Sequence, residues 1–261
     1  MIDIHSHLLP GVDDGSPSIA ASLPVLERFV RDGVTTLVCT PHLDASRVRT
    51  APALAYRAIL DELRAAAPAG IALEPGWEIM LDVPGADLRA PELGLAGSNA
   101  VLVEFPRTGI PPNSAEELFR LRMSGIVPVL AHPERYFGCT VEQVTAWRRA
   151  GAVTQLDVQA LLGRGRTSQV ALALLRAGVI DLFSSDNHGD VRSLAMGRDW
   201  LHEHATAEHV DLLTNENARR LLAGEPIVPV PPLPRRRRPR RGIGGRIKDL
   251  IFGSRRKPTR E

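Results

Sequence analysis

Seven short apolar runs recur along this chain, and most are separated by longer stretches in which apolar residues repeat at helical spacing. The helical pattern is clearest in 19–33, 114–125, 141–151 and 168–178, and the last three stretches end at glycine, as helices often do. Alternating strands and helices predict parallel strand pairing with right-handed crossovers. The runs are IDIH (2–5), TTLVCT (35–40), IALEPG (71–76), AVLVEF (100–105), VPVLAH (127–132), VTQLDV (153–158) and IDLFSS (180–185).

Side chains of the kind that bind metals follow six of the seven predicted strands. The carboxyl ends of the strands of a parallel barrel converge on one face, where active sites are built. An open sheet would leave some of these side chains out of reach of the others, so we predict an α/β fold closed into a seven-stranded barrel. The residues are His5, His7, Asp14, His42, Glu78, Glu104, His132, Asp186 and His188.

This set combines five imidazoles with four carboxylates. Four carboxylates in one cleft would repel each other unless cations neutralised them. Nine ligands suit two or three divalent ions, and nitrogen and oxygen donors without a thiolate suit Mn²⁺, Fe²⁺ or Zn²⁺. A single strand-end histidine is more often a hydrogen-bonded structural residue, but the joint pattern favours metal binding. The other three histidines lie in a polar helical stretch and are predicted to be solvated: His202, His204 and His209.

Charge divides the chain into two physically different segments. Residues 235–261 carry twelve Lys and Arg against two Asp and Glu, whereas residues 1–234 carry twenty basic against twenty-eight acidic residues. The proline-rich stretch between them, PIVPVPPLP (226–234), favours extended backbone. We therefore predict a globular domain over 1–225, a linker over 226–234 and a basic tail over 235–261, either disordered or forming an interfacial helix.

The basic tail suggests contact with an anionic membrane surface. Within 235–257, basic clusters flank four apolar residues that fall on one helical face, Ile243, Ile247, Leu250 and Ile251. A disordered tail that only improves solubility is one alternative, and a module that binds nucleic acid by charge is another. Nucleic acid is disfavoured because Phe252 is the one aromatic residue of the tail, which leaves little for base stacking.

Cysteine content and hydropathy indicate the compartment. Two cysteines in 261 residues make no disulfide framework, so a reducing cytosol is expected. No basic segment followed by an apolar one opens the chain, and no apolar run approaches the roughly 18 residues that span a bilayer. We expect a cytoplasmic protein, peripheral at the inner face of the plasma membrane if the tail binds lipid.

Several motifs of the chain resemble those of one family. DIHSHLLPGVDDG, TPH, GWEI, VEF, AHPERY and SDNHG occur here in the order and spacing of the polymerase-and-histidinol-phosphatase (PHP) superfamily, and more narrowly of its bacterial capsular and exopolysaccharide tyrosine phosphatases. The resemblance runs to about Ala223 and leaves out the tail. It implies a distorted (β/α)7 barrel of the PHP type, three divalent metal ions, usually manganese, and dephosphorylation of a membrane-associated tyrosine kinase that regulates polysaccharide synthesis.

The same resemblance implies a role for each predicted ligand. Glu78 would bridge the first and second ions, and Asp13 could replace its neighbour Asp14 as a ligand. By position, His5, His7, Glu78 and Asp186 would hold the first ion, Glu104 and His132 would complete the second, and Asp14, His42 and His188 would hold the third.

Two arginines are predicted to act beside these ligands. Arg135, in HPER, matches an active-site arginine of the family, and its planar fork suits phosphate oxygens on chemical grounds alone. Arg192 follows SDNHGDV, where relatives carry an arginine, and a surface salt bridge is the alternative for it.

The predicted activity is therefore metal-dependent hydrolysis of phosphotyrosine. A thiol mechanism is excluded, because an arginine would follow the reactive cysteine by six positions, where Ala45 and Thr145 stand after Cys39 and Cys139. A phosphoesterase acting on a small metabolite such as histidinol phosphate is the alternative on the same barrel. The loops are short, the longest being 85–99, and an open cleft of this kind favours a protein substrate.

Overall fold

The computed structural model describes residues 1–106 and 109–234, which form two parallel sheets with helices packed against them. The strand order is β1-β2-β4 in one sheet and β3-β5-β6-β7-β8-β9 in the other. The strands are β1 (Ile2–Asp3), β2 (Thr36–Cys39), β3 (His42–Asp44), β4 (Ala72–Pro75), β5 (Glu78–Met80), β6 (Ala100–Glu104), β7 (Val127–Ala131), β8 (Val153–Asp157) and β9 (Leu182–Ser184).

All pairs of neighbouring strands are parallel, so the predicted α/β class is confirmed. The predicted count of seven strands is wrong, since the described part of the chain contains nine. Two short strands, β3 and β5, were missed because each continues an earlier strand after a break. Pro41, which cannot donate to a ladder, separates β2 from β3, and Gly76 separates β4 from β5. The ladders do not join the two sheets, so closure into a barrel is not shown.

Nine α-helices of the described residues surround the sheets, and the four predicted from periodicity are all present. Gly33 and Gly178 follow α1 and α6 with φ of 87° and 67°, a left-handed conformation that ends a helix without strain. The helices are α1 (Ile19–Asp32), α2 (Ala53–Ala66), α3 (Ser114–Met123), α4 (Val141–Arg149), α5 (Val158–Leu162), α6 (Arg166–Ala177), α7 (Leu194–His204), α8 (Ala207–Asp211) and α9 (Asn217–Leu222).

The apolar core is divided by the strands into an inner and an outer cluster. Leu102 belongs to the inner cluster, whereas its neighbours Val101 and Val103 belong to the outer one, because successive strand residues point to opposite faces. On the inner face, the residues along each of these strands change from apolar to polar toward the carboxyl end. On β6 the change is from Leu102 to Glu104, and on β8 it is from Val153 to Asp157.

The proline-rich segment 226–234, predicted as a linker, lies against the body. Asn217 of α9 donates its side-chain amide to the carbonyl of Val228 at 2.9 Å and accepts the amide of the same residue at 2.8 Å. The amide of Leu233 donates to Leu175 of α6 at 3.3 Å. This segment therefore belongs to the packed surface of the domain as far as Leu233.

His209 corrects the prediction that three late histidines are solvated. Its side chain is 3% exposed, and its Nδ1 lies 2.7 Å from the hydroxyl of Thr206 at the start of α8. Its Nε2 lies 3.1 Å from the carbonyl of Pro231, so the ring joins α8 to the proline-rich segment.

The predicted tail, residues 235–261, lies outside the described residues. Within 1–106 and 109–234, no helix is long and apolar enough to cross a membrane.

Candidate metal centre

The nine predicted ligands lie together at the carboxyl-terminal side of the strands. His5 and His7 follow β1, whereas His42 and Glu78 stand just after the breaks that end β2 and β4. Glu104 ends β6, and the remaining ligands lie in loops: Asp14 before α1, His132 after β7, and Asp186 and His188 after β9.

The ligand atoms fall into four overlapping groups, within each of which they lie within 4.8 Å of one another. His5, His7, His42 and Glu78 each belong to two groups, so neighbouring groups share side chains. The groups are His7–Asp14–His42–His188, His5–Glu78–His132, His5–His7–Asp186 and His42–Glu78–Glu104.

The orientation of His5 and His7 shows that this set fits a cation. Nδ1 of His5 lies 3.1 Å from Oε1 of Gln155, and Nδ1 of His7 lies 2.7 Å from a carboxylate oxygen of Asp13. These oxygens only accept, so each Nδ1 donates its proton, and the lone pair of Nε2 faces the centre when the ring is neutral. The two Nε2 atoms face each other at 3.2 Å, which is unfavourable unless a positive charge lies beside them.

Two carboxylates face the same pair of nitrogens. An oxygen of Asp186 lies 3.3 Å from Nε2 of His5 and 3.2 Å from Nε2 of His7, and the oxygens of Glu78 lie at 3.3 and 3.4 Å. All four side chains are nearly inaccessible to solvent. Converging acceptors in a buried position are the donor set of a divalent cation site.

The pKa values of His5 and His7 also indicate that the site favours positive charge. Burial lowers the pKa of His5, but the Glu78 and Asp186 carboxylates outweigh it and raise that pKa to about 9. Burial likewise opposes ionisation of His7, yet hydrogen bonds to Asp13 and Asp186 raise its pKa to about 11. Protons therefore supply the charge when cations do not, and metal binding would displace them.

Two carboxylates of the centre show opposite shifts. Burial raises the pKa of Asp186, but the neighbouring His5, His7 and Arg135 hold it well below its usual range. Burial and the negative charge of Glu78 together raise the pKa of Glu104. Glu78 and Glu104 lie too close together for both to ionise without a compensating cation.

Two ligand positions have unusual backbone geometry. His132 has a φ of 33° and Asp186 a φ of 47°, a left-handed region that is unfavourable for residues with a β-carbon. His132 is held there by a contact of 2.8 Å between its Nε2 and Glu78, and the amide of Asp186 donates to His5 at 3.1 Å. Such strain is typical of functional positions that the surrounding structure fixes.

The structure places the two adjacent aspartates of the first loop differently. Asp14 is 65% exposed, and its oxygen lies 3.3 Å from His42 and 3.5 Å from His188. Asp13 points instead at the far nitrogen of His7 and accepts the amide of Gly15 at 3.0 Å. Asp14 thus stands among the predicted ligands, and Asp13 orients one of them from behind.

Both predicted arginines reach the centre and help to line a polar cavity of about 130 Å³. Nη2 of Arg135 lies 2.6 Å from Asp157 and 2.5 Å from Asp186. Nη1 of Arg192 lies 3.5 Å from Asp186, and its Nε bonds Asp190 at 2.8 Å. The surface salt bridge to Asp190 is therefore present, and the same side chain also faces the cavity.

Sequence reasoning missed Gln155 behind His5 and Asp157 on Arg135, and it considered Asp13 only as an alternative ligand and not as the carboxylate behind His7. The sixth predicted strand, VTQLDV, was the one without a metal ligand. Alternation along β8 puts Gln155 and Asp157 on the inner face with Val153, and that signal was available in the sequence.

Other features of the described chain lie apart from this chemistry. A larger cavity of about 660 Å³ is lined by residues such as Val127 and Val153 at the amino ends of β7 and β8, and none of the nine ligands lines it. Cys39 and Cys139 are buried, and burial raises the pKa of each thiol to about 12. Neither can supply a thiolate at neutral pH.

A parallel α/β fold with histidines and carboxylates gathered beside two arginines defines a class of metal-dependent phosphoesterase. The chain belongs to the family described as capsular polysaccharide synthesis, CpsB/CapC, whose model matches residues 1–223. It is 30% identical over 249 residues to the tyrosine-protein phosphatase YwqE of Bacillus subtilis, and this match covers 91% of this chain and 98% of the relative. It is 28% identical over 198 residues to the putative tyrosine-protein phosphatase CapC of Staphylococcus aureus, covering 72% and 77% respectively.

The fold agrees with a solved relative. Crystal structures of YwqE from Bacillus subtilis and CpsB from Streptococcus pneumoniae are described as those of unique metal-dependent tyrosine phosphatases. The match has a TM-score of 0.77 at 27% identity and covers 91% of this chain and all of the other. The resemblance to bacterial capsular tyrosine phosphatases inferred from the motifs is thus confirmed.

Proposed function

We propose that this protein is a metal-dependent protein tyrosine phosphatase that acts on a tyrosine kinase regulating capsular or exopolysaccharide synthesis. The observation that carries the proposal is the set of nine converging ligands with Arg135 beside them in one cavity. The family and the names of the relatives support the same activity. The buried cysteines with raised pKa leave hydrolysis without a thiol nucleophile.

We further propose that the centre holds three divalent ions, with manganese expected and Fe²⁺ or Zn²⁺ as alternatives. The overlapping groups support one site around His5, His7, Glu78 and Asp186 and another around Asp14, His42 and His188. The contacts of His132 with Glu78 at 2.8 Å and with Glu104 at 3.9 Å support the remaining site around these three residues. Bound divalent cations would supply Lewis acidity toward phosphoryl oxygens and would lower the pKa of water.

The arginines bind and orient the phosphate monoester in this proposal. Arg135 presents a planar fork to two phosphoryl oxygens, and Asp157 holds that fork at the edge of the cavity through a 2.6 Å contact. Arg192 faces the same cavity, so the two guanidinium groups neutralise charge on the equatorial oxygens when attack occurs in line with the departing phenolate.

We also propose that the two sheets are parts of one distorted barrel. Ser6 after β1 and Asn187 after β9 form a parallel bridge, which brings the first strand beside the last. The inner apolar cluster supports this arrangement, since it combines Ile4, just after β1, and Val38 of the smaller sheet with Leu182 of the larger one.

The basic segment 235–257 would carry the phosphatase to an anionic membrane surface at the cytoplasmic face, where its kinase partner is expected. Its charge and its apolar face support this part of the proposal.

Hydrolysis of a phosphotyrosine peptide by the purified full chain tests the activity. Exhaustive chelation should abolish release of phosphate, and Mn²⁺ should restore it. Histidinol phosphate at equal concentration is the control substrate. Faster turnover of histidinol phosphate than of the peptide, or full activity of metal-free protein, would overturn the proposed function.

A further inference from the structure

Phe137 is a large apolar side chain exposed beside the metal centre. It is 84% exposed, although side chains of this size are usually buried. Tyr136 alone separates it from the short helical turn Pro133–Arg135, which is preceded by the predicted ligand His132. A solvated aromatic ring this close to the predicted phosphate site needs a physical explanation.

Two cavities meet at this point. The polar cavity of about 130 Å³ and a second cavity of about 370 Å³ share three wall residues, Glu104, His132 and Arg135. Aromatic and apolar side chains contribute to the second cavity, among them Pro106, Tyr136 and Phe137. A ligand with a charged end and a flat apolar body would therefore find both environments side by side.

The Phe137 ring is braced by a neighbouring helix. The guanidinium carbon of Arg166, the first residue of α6, lies 5.1 Å from the ring centroid, which is a cation–π distance. Arg166 also donates to the carbonyl of Tyr136 at 2.7 Å. One side chain thus fixes both the ring and the backbone that precedes it.

Tyr136 anchors the segment from the other side. Its side chain is buried, and its hydroxyl donates to the carbonyl of Ala131 at 2.9 Å and accepts the amide of Phe105 at 3.1 Å. Tyr136 therefore anchors the backbone between Arg135 and Phe137, whose own side chains are held by Asp157 and Arg166 respectively.

We propose that Phe137 forms the ring subsite of the phosphotyrosine side chain and selects aryl over alkyl phosphate esters. This inference rests on the proposed function. The phosphate occupies the polar cavity beside Arg135, and the phenyl ring of the substrate packs against Phe137 in the adjoining cavity. An aromatic pair of this kind changes affinity by roughly 3- to 10-fold, whereas an alkyl ester has no ring to place there.

Binding of two phosphonates to the manganese-loaded full chain tests the subsite without any chemical step. Phenylphosphonate carries the ring, methylphosphonate lacks it, and calorimetry gives the affinity of each. Wild-type protein should prefer phenylphosphonate. Phe137→Ala should weaken phenylphosphonate roughly 3- to 10-fold and leave methylphosphonate unchanged, while Phe137→Trp should keep the preference.

Phe119→Ala is the matched control, because Phe119 on α3 is also exposed and lines neither cavity. It should bind both phosphonates as the wild type does. The subsite would be overturned if Phe137→Ala weakened both ligands equally or neither, or if the wild type had no preference. Failure of the wild type to hydrolyse phosphotyrosine would instead overturn the proposed function, and the two results are measured separately.

Discussion

Asp13 accepts a hydrogen bond from Nδ1 of His7 at 2.7 Å, and this contact fixes which nitrogen of the ring faces the metal centre. A carboxylate behind a histidine ligand also makes the ring more basic, which strengthens its bond to a metal. The two aspartates of the first loop therefore have different positions, since Asp14 lies among the predicted ligands and Asp13 lies behind one of them.

We expect Asp13→Asn to weaken Mn²⁺ binding by roughly 10- to 100-fold, because a neutral amide orients His7 without the charge. Metal content after dialysis against graded free Mn²⁺ measures the change. Asp87→Asn is the control, since Asp87 is an exposed carboxylate that pairs with Arg89 and is not among the ligands. An affinity equal to wild type in Asp13→Asn would contradict the role of this residue.

Glu78→Ala should lose more metal than His188→Ala. Glu78 belongs to two of the ligand groups and lies between His132 at 2.8 Å and His42 at 2.9 Å, whereas His188 belongs to one group at the edge of the centre. Elemental analysis of protein purified without chelator compares the two variants. Retention of the full metal complement by Glu78→Ala would show that the Glu78 carboxylate is not shared between two ions.

Arg135→Ala should keep its metal and lose roughly 10²- to 10³-fold in kcat, because in the proposed mechanism this side chain donates to the phosphoryl group as charge develops. Asp157→Asn should fall between this variant and the wild type, since it leaves the guanidinium group present but less firmly held. Steady-state kinetics together with metal analysis separate binding from turnover. Loss of metal from Arg135→Ala, or an unchanged rate, would contradict the assignment of Arg135 to phosphate binding.

The double variant Cys39→Ser and Cys139→Ser should keep phosphatase activity within about twofold. Burial raises the pKa of both thiols to about 12, so neither is ionised at neutral pH. Native protein should likewise resist iodoacetamide. Rapid inactivation by this reagent, with protection by a phosphonate ligand, would reveal a thiol at the active site.

The full chain should pellet with anionic vesicles at low salt and be released at high salt, because each basic residue near the surface contributes on the order of 1 kcal/mol. A chain ending at Leu233 should stay in the supernatant. Equal behaviour of the two chains would reject the membrane contact, and tighter binding of the full chain to duplex DNA than to vesicles would favour nucleic acid.

Most of the predicted ligands come together in the structure because they stand at or just after a strand end, where position alone determines which face a side chain joins. Glu104 and His132 needed only the ends of two apolar runs to be recognised. Asp13 and Asp14 could not be separated in this way, because the direction of a side chain in a loop depends on contacts such as that with His7.

Long-range contacts account for what the sequence did not reveal. Strands of three residues such as β3 and β5 exist because they pair with their neighbours, and no periodicity develops over so short a length. His209 looked solvated because its own helix is polar, and its burial depends on the segment around Pro231, 22 residues further along the chain.

The hydrogen bonds of the proline-rich segment fix where the described part of the chain ends. α6 ends directly before the run that forms β9, so its last turn lies at the amino ends of the strands, where Leu233 bonds Leu175. The nine ligands lie at the opposite pole. A membrane surface bound by the residues that follow Leu233 would therefore face the amino ends of the strands. The catalytic cleft would then point away from that surface. A phosphorylated partner would then have to offer its tyrosine from the far side.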